Sequence, residues 1–344
     1  MALTYDIVIA TRNRPEILRI SISLMLSQSR RPQRLIVVDS STDEAAARTA
    51  MMEAAGGFDG ELHFRRAEPG SARQRNLGLQ LVQAPVVMFP DDDALWFPGT
   101  AEAIMRAYER DERGDIGAVC AAEALEPPGG VPAANAATRV SWVDRFKVLI
   151  GKRRNQIERA VAPDPFHIHG RSCWGVRAAP AWLEEENCVL VEWMTGFRMS
   201  FRTEMIRACG FDEKLGAYSL FEDTDASFAV MHSRLIVGAR NAKIFHHKIP
   251  GRRGSGYEMG FTQLLNRAYV VAKHAAPGSE ARRRLSGYAW YKLLQYLLGA
   301  HSRYGRQRIS GAWRALRCQH DLLNAPLAEL SEVYCRLRAA HLGS

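Results

Sequence analysis

The sequence predicts an α/β fold, a parallel sheet with helices between its strands, continued by a mostly helical C-terminal region. Three observations lead there. Over the first 115 residues, short apolar runs alternate with longer amphipathic segments, as strands joined by helical crossovers do. Polar sequence follows most of these runs, which suits a sheet whose ligands collect beyond the carboxyl ends of its strands. From Glu258 onward the pattern is helical almost throughout.

The elements follow in order. Strands are expected at Asp6–Ala10, Leu35–Asp39, Leu62–Arg66 and Val86–Phe89, with helices at about 14–29, 43–55, 71–83 and 98–112. No Gly-x-Gly-x-x-Gly follows the first strand, which argues against a dinucleotide fold. Residues 125–192, with Pro127-Pro128-Gly129-Gly130, Pro163, Pro165 and Pro180, read as irregular and as framing a second substrate. Order returns at Trp193–Arg202. A short helix to about Cys209 follows, and Phe221-Glu222-Asp223-Thr224-Asp225 opens another. Leu235–Gly238 and Lys243–His246 read as two more short strands. No leader peptide is visible before the first strand, so a cytoplasmic location is expected.

An apolar fraction of 47% and a charged fraction of 24% in 344 residues are those of a globular protein with one large domain or two unequal ones. Six scattered cysteines without a Cys-x-x-Cys pair suit free thiols better than a disulfide scaffold or zinc site. The net charge of +9 is unevenly placed: residues 251–344 hold 15 Lys and Arg against 5 Asp and Glu, the rest 31 against 32. A basic segment of this kind meets nucleic acid or a membrane face. No nucleic-acid-binding module is recognisable, so no nucleic acid is expected as partner.

Leu285 to Ala300 is the longest apolar stretch; Lys292 and Gln295 interrupt it, and it is too short to span a bilayer. On a helix, Arg303, Arg306, Arg314 and Arg317 fall within an arc of roughly 80°. Leu298, Ile309, Trp313 and Leu316 lie on the adjoining face, with Gly305 and Gly311 as points where the helix is expected to break. Arg282-Arg283-Arg284 precedes an aromatic run containing Trp290, Tyr291 and Tyr296. These patterns describe peripheral attachment to an anionic membrane surface, on its cytoplasmic side. Packing on the sheet or a homodimer contact is the alternative.

The chemistry concentrates at Val86-Val87-Met88-Phe89-Pro90-Asp91-Asp92-Asp93. Three adjacent carboxylates repel one another at a strand end, and make sense if they hold a hard divalent cation such as Mn²⁺ or Mg²⁺. The alternative is a solvated acidic turn. A nucleotidyltransferase would also use paired acids and metal, but the glycine- and basic-rich loop it needs near the first strand is missing from "ATRNRPEIL".

Taken in order, "ATRNRP", "VVDSSTDE", "GSARQRNLGL", "MFPDDDA", "TGFRMSFR…GFDE" and "FEDTDASF" resemble the blocks of family 2 glycosyltransferases over about residues 5–250. The resemblance implies a GT-A fold over 1–250, with a donor half to about 115 and an acceptor half from about 116; the basic helical region over 251–344 lies beyond it. It departs at Ala10 and Arg12, where many members have Pro and an aromatic residue, and at Ser40 and Ser41, where Asp or Asn and Gly are common. By resemblance Asp93 is the direct metal ligand, while Asp91 and Asp92 contact the ribose or orient metal-bound water, with Asp91 a second candidate ligand. Asp39 and Arg73 correspond to positions that hold the uracil edge, Thr11 and Arg12 border the base, and Arg14 joins the donor site. Asp39 also reads as a helix N-cap, and Arg73 as a surface cation.

The same resemblance implies transfer of a sugar from a nucleotide-sugar, with uridine diphosphate donors the first expectation. The acceptor is a hydroxyl of a glycan or lipid-linked molecule in cell-surface polysaccharide or glycoconjugate synthesis. An inverting transfer needs a base for that hydroxyl. Glu222-Asp223 matches the family's acidic pair, and Asp223 is the candidate base; Asp225 reads as a first-turn acid favoured by the helix dipole, as Asp223 itself also does. His246-His247 supplies a further candidate metal or diphosphate contact, or two ordinary histidines. Trp193, Phe197 and Met199 read as sugar-stacking or core residues, core being favoured for at least two. A retaining transferase and a catalytically silent nucleotide-sugar-binding protein remain the alternatives.

Overall fold

The computed structural model describes residues 3–129, 131, 179–216, 219–248 and 254–342. The chain divides into two compact units: residues 1–134 with 172–249, and residues 135–171 with 250–344.

The first unit is built on a mixed sheet. Its strands are β1 (Tyr5–Thr11), β2 (Arg34–Asp39), β3 (Glu61–Arg66), β4 (Val86–Phe89), β5 (Ala94–Trp96), β6 (Ile116–Ala124), β7 (Cys188–Leu190), β8 (Met199–Arg202) and β9 (Leu235–His246). Among the described residues they form one sheet in the order β3-β2-β1-β4-β8-β6-β9-β5, with β7 also paired to β9. The β3-β2-β1-β4 half is parallel, as expected. The other half is mixed, because β8 runs antiparallel to both β4 and β6. Residues Ile7–Ile9, Leu35–Val38 and Val86–Phe89 are all buried, which explains why these strands read as apolar runs without alternation. β3 carries exposed Glu61, Arg65 and Arg66, charges that keep a sheet edge from pairing further.

The helices of this unit are α1 (Pro15–Leu26), α2 (Glu44–Ala54), α3 (Ser71–Leu79), α4 (Thr100–Arg110), α5 (Trp182–Glu185), α6 (Thr203–Cys209) and α7 (Glu222–Met231). Pro15 opens α1, where its missing N–H costs nothing. Asp43 caps α2, its carboxylate accepting from Ala46 N at 3.1 Å. α3 lies against β1 through Gly78, where an added β-carbon would sit 2.3 Å from Val8 Cγ1.

Two elements differ from the sequence reading for visible reasons. The two strands expected at Leu235–Gly238 and Lys243–His246 are one, β9. Its register to β6 shifts between Ala121 and Ala122, so exposed Arg240 and Asn241 bulge out and interrupt the apolar pattern. β5 was not anticipated, being three residues directly after the acid triplet. Within the stretch expected to be irregular, α5 and β7 are ordered; the framing role given to the rest falls largely outside the described residues.

The second unit contributes α8 (Gly256–His274), α9 (Glu280–Leu297), α10 (Arg303–Asn324) and α11 (Leu330–Leu342). Ser255, Ser279 and Ser302 cap the first three, each hydroxyl accepting from a backbone N–H three residues on. Gly305 and Gly311, expected to break α10, lie buried within it. Glycine is retained because α8 and α10 approach backbone to backbone. A β-carbon at Gly311 would lie 2.0 Å from Tyr257 O, and one at Gly260 would lie 2.1 Å from Arg308 O. Tyr334 of α11 closes the core, stacking on Tyr269 at 4.1 Å and donating to Asn266 Oδ1 at 2.6 Å. Among the described residues no helix is long and apolar enough to cross a membrane.

The helix contact yields a direct expectation. Gly260→Ala places a methyl against a carbonyl that has no rotamer to retreat to. It should lower unfolding stability by about 1–3 kcal/mol, measured by urea denaturation followed through tryptophan fluorescence, whereas Gly287→Ala, with open space at its β-carbon, should cost nothing.

Candidate active site

The acid triplet leaves β4 as a short turn tied to β1. Asp91 forms a parallel bridge with Ala10, and Asp91 O accepts from Ala94 N at 3.1 Å. Ser21 of α1 donates to Asp92 O at 2.9 Å. The side chain of Asp92 then diverges from those of Asp91 and Asp93. Asp92 turns to the β1 end, accepting from Thr11 Oγ1 at 2.9 Å and from Arg14 Nη1 at 3.1 Å. Arg14 also reaches Asp93 at 3.4 Å.

Asp91 and Asp93 face His246, and the three residues offer ligand atoms that all lie within 4.8 Å of one another. β5 makes this possible: Ala94, next to Asp93, pairs with His246 at the end of β9. His246 Nε2 sits 3.3 Å from Asp93 Oδ1, and its ring stacks on Phe197 with centroids 4.5 Å apart. His247 is not in this group. Successive residues of a strand face opposite ways, and its contribution is a backbone N–H to Asp93 O at 3.0 Å. Two carboxylates and an imidazole form a donor set that suits Mn²⁺.

Electrostatics agree with a site built to receive a cation. Burial raises the Asp91 carboxyl, against the lowering effect of Arg75, and pushes Asp92 up to about 7, against Arg14. Burial alone would depress His246, but the hydrogen bond and charge of Asp93 outweigh it and the ring is raised. Arg75 only partly offsets the burial of Asp91, so a bound cation would stabilise its ionised form further.

Arg75, on α3, links this group to the acidic pair of α7. It is 3% exposed; one Nη donates to Asp91 Oδ1 at 2.7 Å and the other to Glu222 Oε1 at 2.5 Å. Glu222 also accepts from Ser71 Oγ at 3.0 Å. Asp223 is held differently, by backbone: Gly196 N donates to Oδ2 at 2.8 Å and Thr224 N to Oδ1 at 2.7 Å. Burial raises both carboxyls of the pair. Asp225 is buried in the first turn of the same helix.

The backbone around these groups is unusual. Four of the five non-glycine residues with positive φ among the described residues adjoin the site: Asn13 (54°), Ser219 (42°), Phe221 (77°) and Lys248 (52°). Such conformations are costly and persist where the surroundings over-determine them. Phe221 immediately precedes Glu222, and Asn13 lies between Arg12 and Arg14.

Other expected residues fall as follows. Asp39 is fully buried at the end of β2, accepting from Arg66 Nη1 at 2.9 Å and from Ser41 N at 3.1 Å. It is not the cap of α2, a role that Asp43 fills. Arg12 is exposed. Phe197 and Met199 are buried core residues and Trp193 is half-buried. Arg73 is half-exposed and pairs with Glu213 at 3.3 Å. At about 100° per residue, positions 73 and 75 face nearly opposite sides of a helix. Gly78, one turn from Arg75, marks the side that meets the sheet. That spacing was the signal for Arg75, which the sequence reading missed along with Gln74, whose Nε2 donates to Thr11 O at 2.9 Å and Val38 O at 2.8 Å.

The family model "Glycosyl transferase family 2" matches residues 6–181. The chain belongs to that family. It is a glycosyltransferase, and the solved structures it resembles share its GT-A architecture. A mannosyltransferase, PcManGT from Pyrobaculum calidifontis in complex with GDP-Man and Mn²⁺, is 16% identical with a TM-score of 0.50, over 99% of this chain and 88% of that one. GalNAc-T7 with UDP, GalNAc and Mn²⁺ is 14% identical with a TM-score of 0.56; 99% of this chain is covered but only 58% of that one. S. aureus TarS 1-349 is 13% identical with a TM-score of 0.50, covering 99% and 92%. No curated protein matches the chain.

Two outcomes follow for this family 2 enzyme. Arg75→Met leaves buried Glu222 without its cation and half-buried Asp91 without its partner, and should destabilise the protein by about 3 kcal/mol, read by urea denaturation. Metal binding must displace the proton of His246, which Asp93 holds above the ordinary imidazole value of 6.5, so Mn²⁺ affinity should increase as pH rises from about 6 to 8. Titration calorimetry in buffers of different ionisation heat would detect the released protons.

Proposed function

We propose that the protein is a divalent-metal-dependent, inverting glycosyltransferase. It transfers a sugar from a uridine diphosphate donor to a hydroxyl of a glycan or lipid-linked acceptor in cell-surface polysaccharide or glycoconjugate synthesis. The observation that carries this reading is the Arg75 bridge, which fixes the metal-ligand group and an acidic pair in one constellation. Asp91, Asp93 and His246 are the residues that would hold the ion. When bound, a divalent ion neutralises the charge that develops on a departing diphosphate.

The remaining work falls to the chain. Thr11, Arg12 and Asp39 lie at or just beyond the ends of β1 and β2 and take the nucleoside end of the donor, with Asp92 held by Thr11 and Arg14 beside them. Glu222, locked by Arg75 and Ser71, acts as a positioning residue for the helix start. Asp223 is the base. Its two oxygens are aimed by the Gly196 and Thr224 N–H groups, and burial keeps its proton affinity above that of a solvated aspartate. It accepts the proton of the acceptor hydroxyl as that oxygen attacks the anomeric carbon and the diphosphate departs from the opposite face. The solved transferases with a Mn²⁺ complex, one carrying GDP-Man and one UDP, support the metal and the donor class.

The experiment is a transfer assay across nucleotide-sugars with Mn²⁺, Mg²⁺ or chelator, with the anomeric configuration of the product read by NMR. Chelator should abolish turnover and Mn²⁺ restore it, with Asp93→Ala losing metal-dependent nucleotide binding as well. Full activity in chelator contradicts the metal assignment, and retention of configuration contradicts inversion. Asp223→Asn keeps an oxygen for one N–H but cannot take the proton, so donor affinity should persist while transfer falls by about 10²–10⁴-fold. Because the Asp223 carboxyl is raised and must be ionised to act, the wild-type rate should fall on the acid side of the profile, at higher pH than a solvated aspartate would give.

A further inference from the structure

In the C-terminal unit, α9 and α10 expose a shared apolar face. Trp290, Leu294 and Leu297 of α9 are 48%, 61% and 51% exposed, and Leu298 at the end of the helix is 82% exposed. On the helix these first three span roughly 60°. Trp313 of α10 is 45% exposed, and its ring meets that of Trp290 edge to face, with centroids 5.6 Å apart. The two stripes are therefore continuous across the helix pair. Isolated exposed leucines need no explanation, but contiguous tryptophans and leucines mark a contact surface.

The border of this face is cationic. Arg306 and Arg317 lie within about 40° of Trp313 around α10, with Arg303 and Arg314 further round, and all four are exposed. Arg283 shares the stripe of Trp290 and is exposed too. Opposing charge is sparse: Glu280 pairs with Arg284 within its own helix, and Asp321 lies beside His320. A face of this composition matches an interface that is apolar within and anionic at its surface. Tryptophan suits the boundary between the two, having an apolar body and a polar N–H.

We propose that this face of α9 and α10 docks on a membrane surface rich in anionic lipid, with Trp290, Leu294, Leu297, Leu298 and Trp313 entering the headgroup boundary and the arginines meeting lipid phosphates. The helices lie along the surface and do not cross it. The proposal is independent of the donor chemistry assigned above, since none of its residues belongs to the metal group or the acidic pair.

The test uses the full chain and sucrose-loaded vesicles of phosphatidylcholine with increasing phosphatidylglycerol. Pelleting should increase with the anionic fraction and weaken in high salt. Each arginine near the surface contributes about fivefold to partitioning, so the variant R303Q/R306Q/R314Q/R317Q should lose at least about tenfold. The variant W290Q/L294Q/L297Q should lose binding at every lipid composition while its thermal midpoint and transfer to a soluble acceptor stay unchanged. Lipids with brominated chains should quench wild-type tryptophan fluorescence more than that of W290F/W313F. The proposal is overturned if no vesicle composition pellets the protein, or if both patch variants pellet like wild type. It is equally overturned if sedimentation equilibrium without lipid shows a dimer that W290Q/L294Q/L297Q dissociates, since a second copy then covers the face.

Discussion

The guanidinium of Arg75 is the contact on which the arrangement of the site depends. It is almost wholly buried and donates to two carboxylates from distant parts of the chain, Asp91 after β4 and Glu222 at the start of α7. Without it, buried Glu222 and half-buried Asp91 would face each other with no cation between them. A guanidinium can hold both because its donors form a rigid planar fork, which an ammonium lacks. Glycine at position 78 lets the helix carrying Arg75 press against β1, so the fork arrives from a fixed platform. The sheet, the helix and the ion pairs are thus one device.

The metal-ligand group depends on a second constraint, the short strand β5. Two residues of a consecutive acid triplet face one way only because the chain turns and immediately pairs with β9, which delivers His246 from more than 150 residues away. Phe197, stacked on the imidazole, restricts its plane and leaves Nε2 turned to Asp93. In this geometry Asp92 serves a different purpose from its neighbours: it ties the turn to Thr11 and Arg14. The raised proton affinities of Asp91 and Asp92 and the strained backbone at Asn13 and Phe221 are costs a fold accepts where a ligand later compensates.

The C-terminal unit follows another physical rule. Its glycines are not weak points but contact points, since Gly260 and Gly311 let α8 and α10 meet at backbone distance. The tryptophans of α9 and α10 lie outside the core of this unit and in contact with each other. Why this surface is apolar is not explained by the packing of the unit, and it is the reason to look for an anionic lipid partner.

Sequence alone determined the parallel half of the sheet, the helices that flank it, the acid triplet at a strand end and the acidic pair at a helix start. These are local properties: runs of apolar residues, caps and adjacent charges state their own requirements over a few positions. It also determined the family, because ordered blocks survive where overall identity does not. Only the tertiary structure decided that Arg75 rather than Arg73 turns inward, that His246 rather than His247 joins Asp91 and Asp93, and that Asp92 looks away. Each of these is a choice between near neighbours made by helix phase, strand alternation or a turn, and each is settled by what packs on the other side. A sequence records which side chains are present; which way they face is decided by contacts made with residues far along the chain.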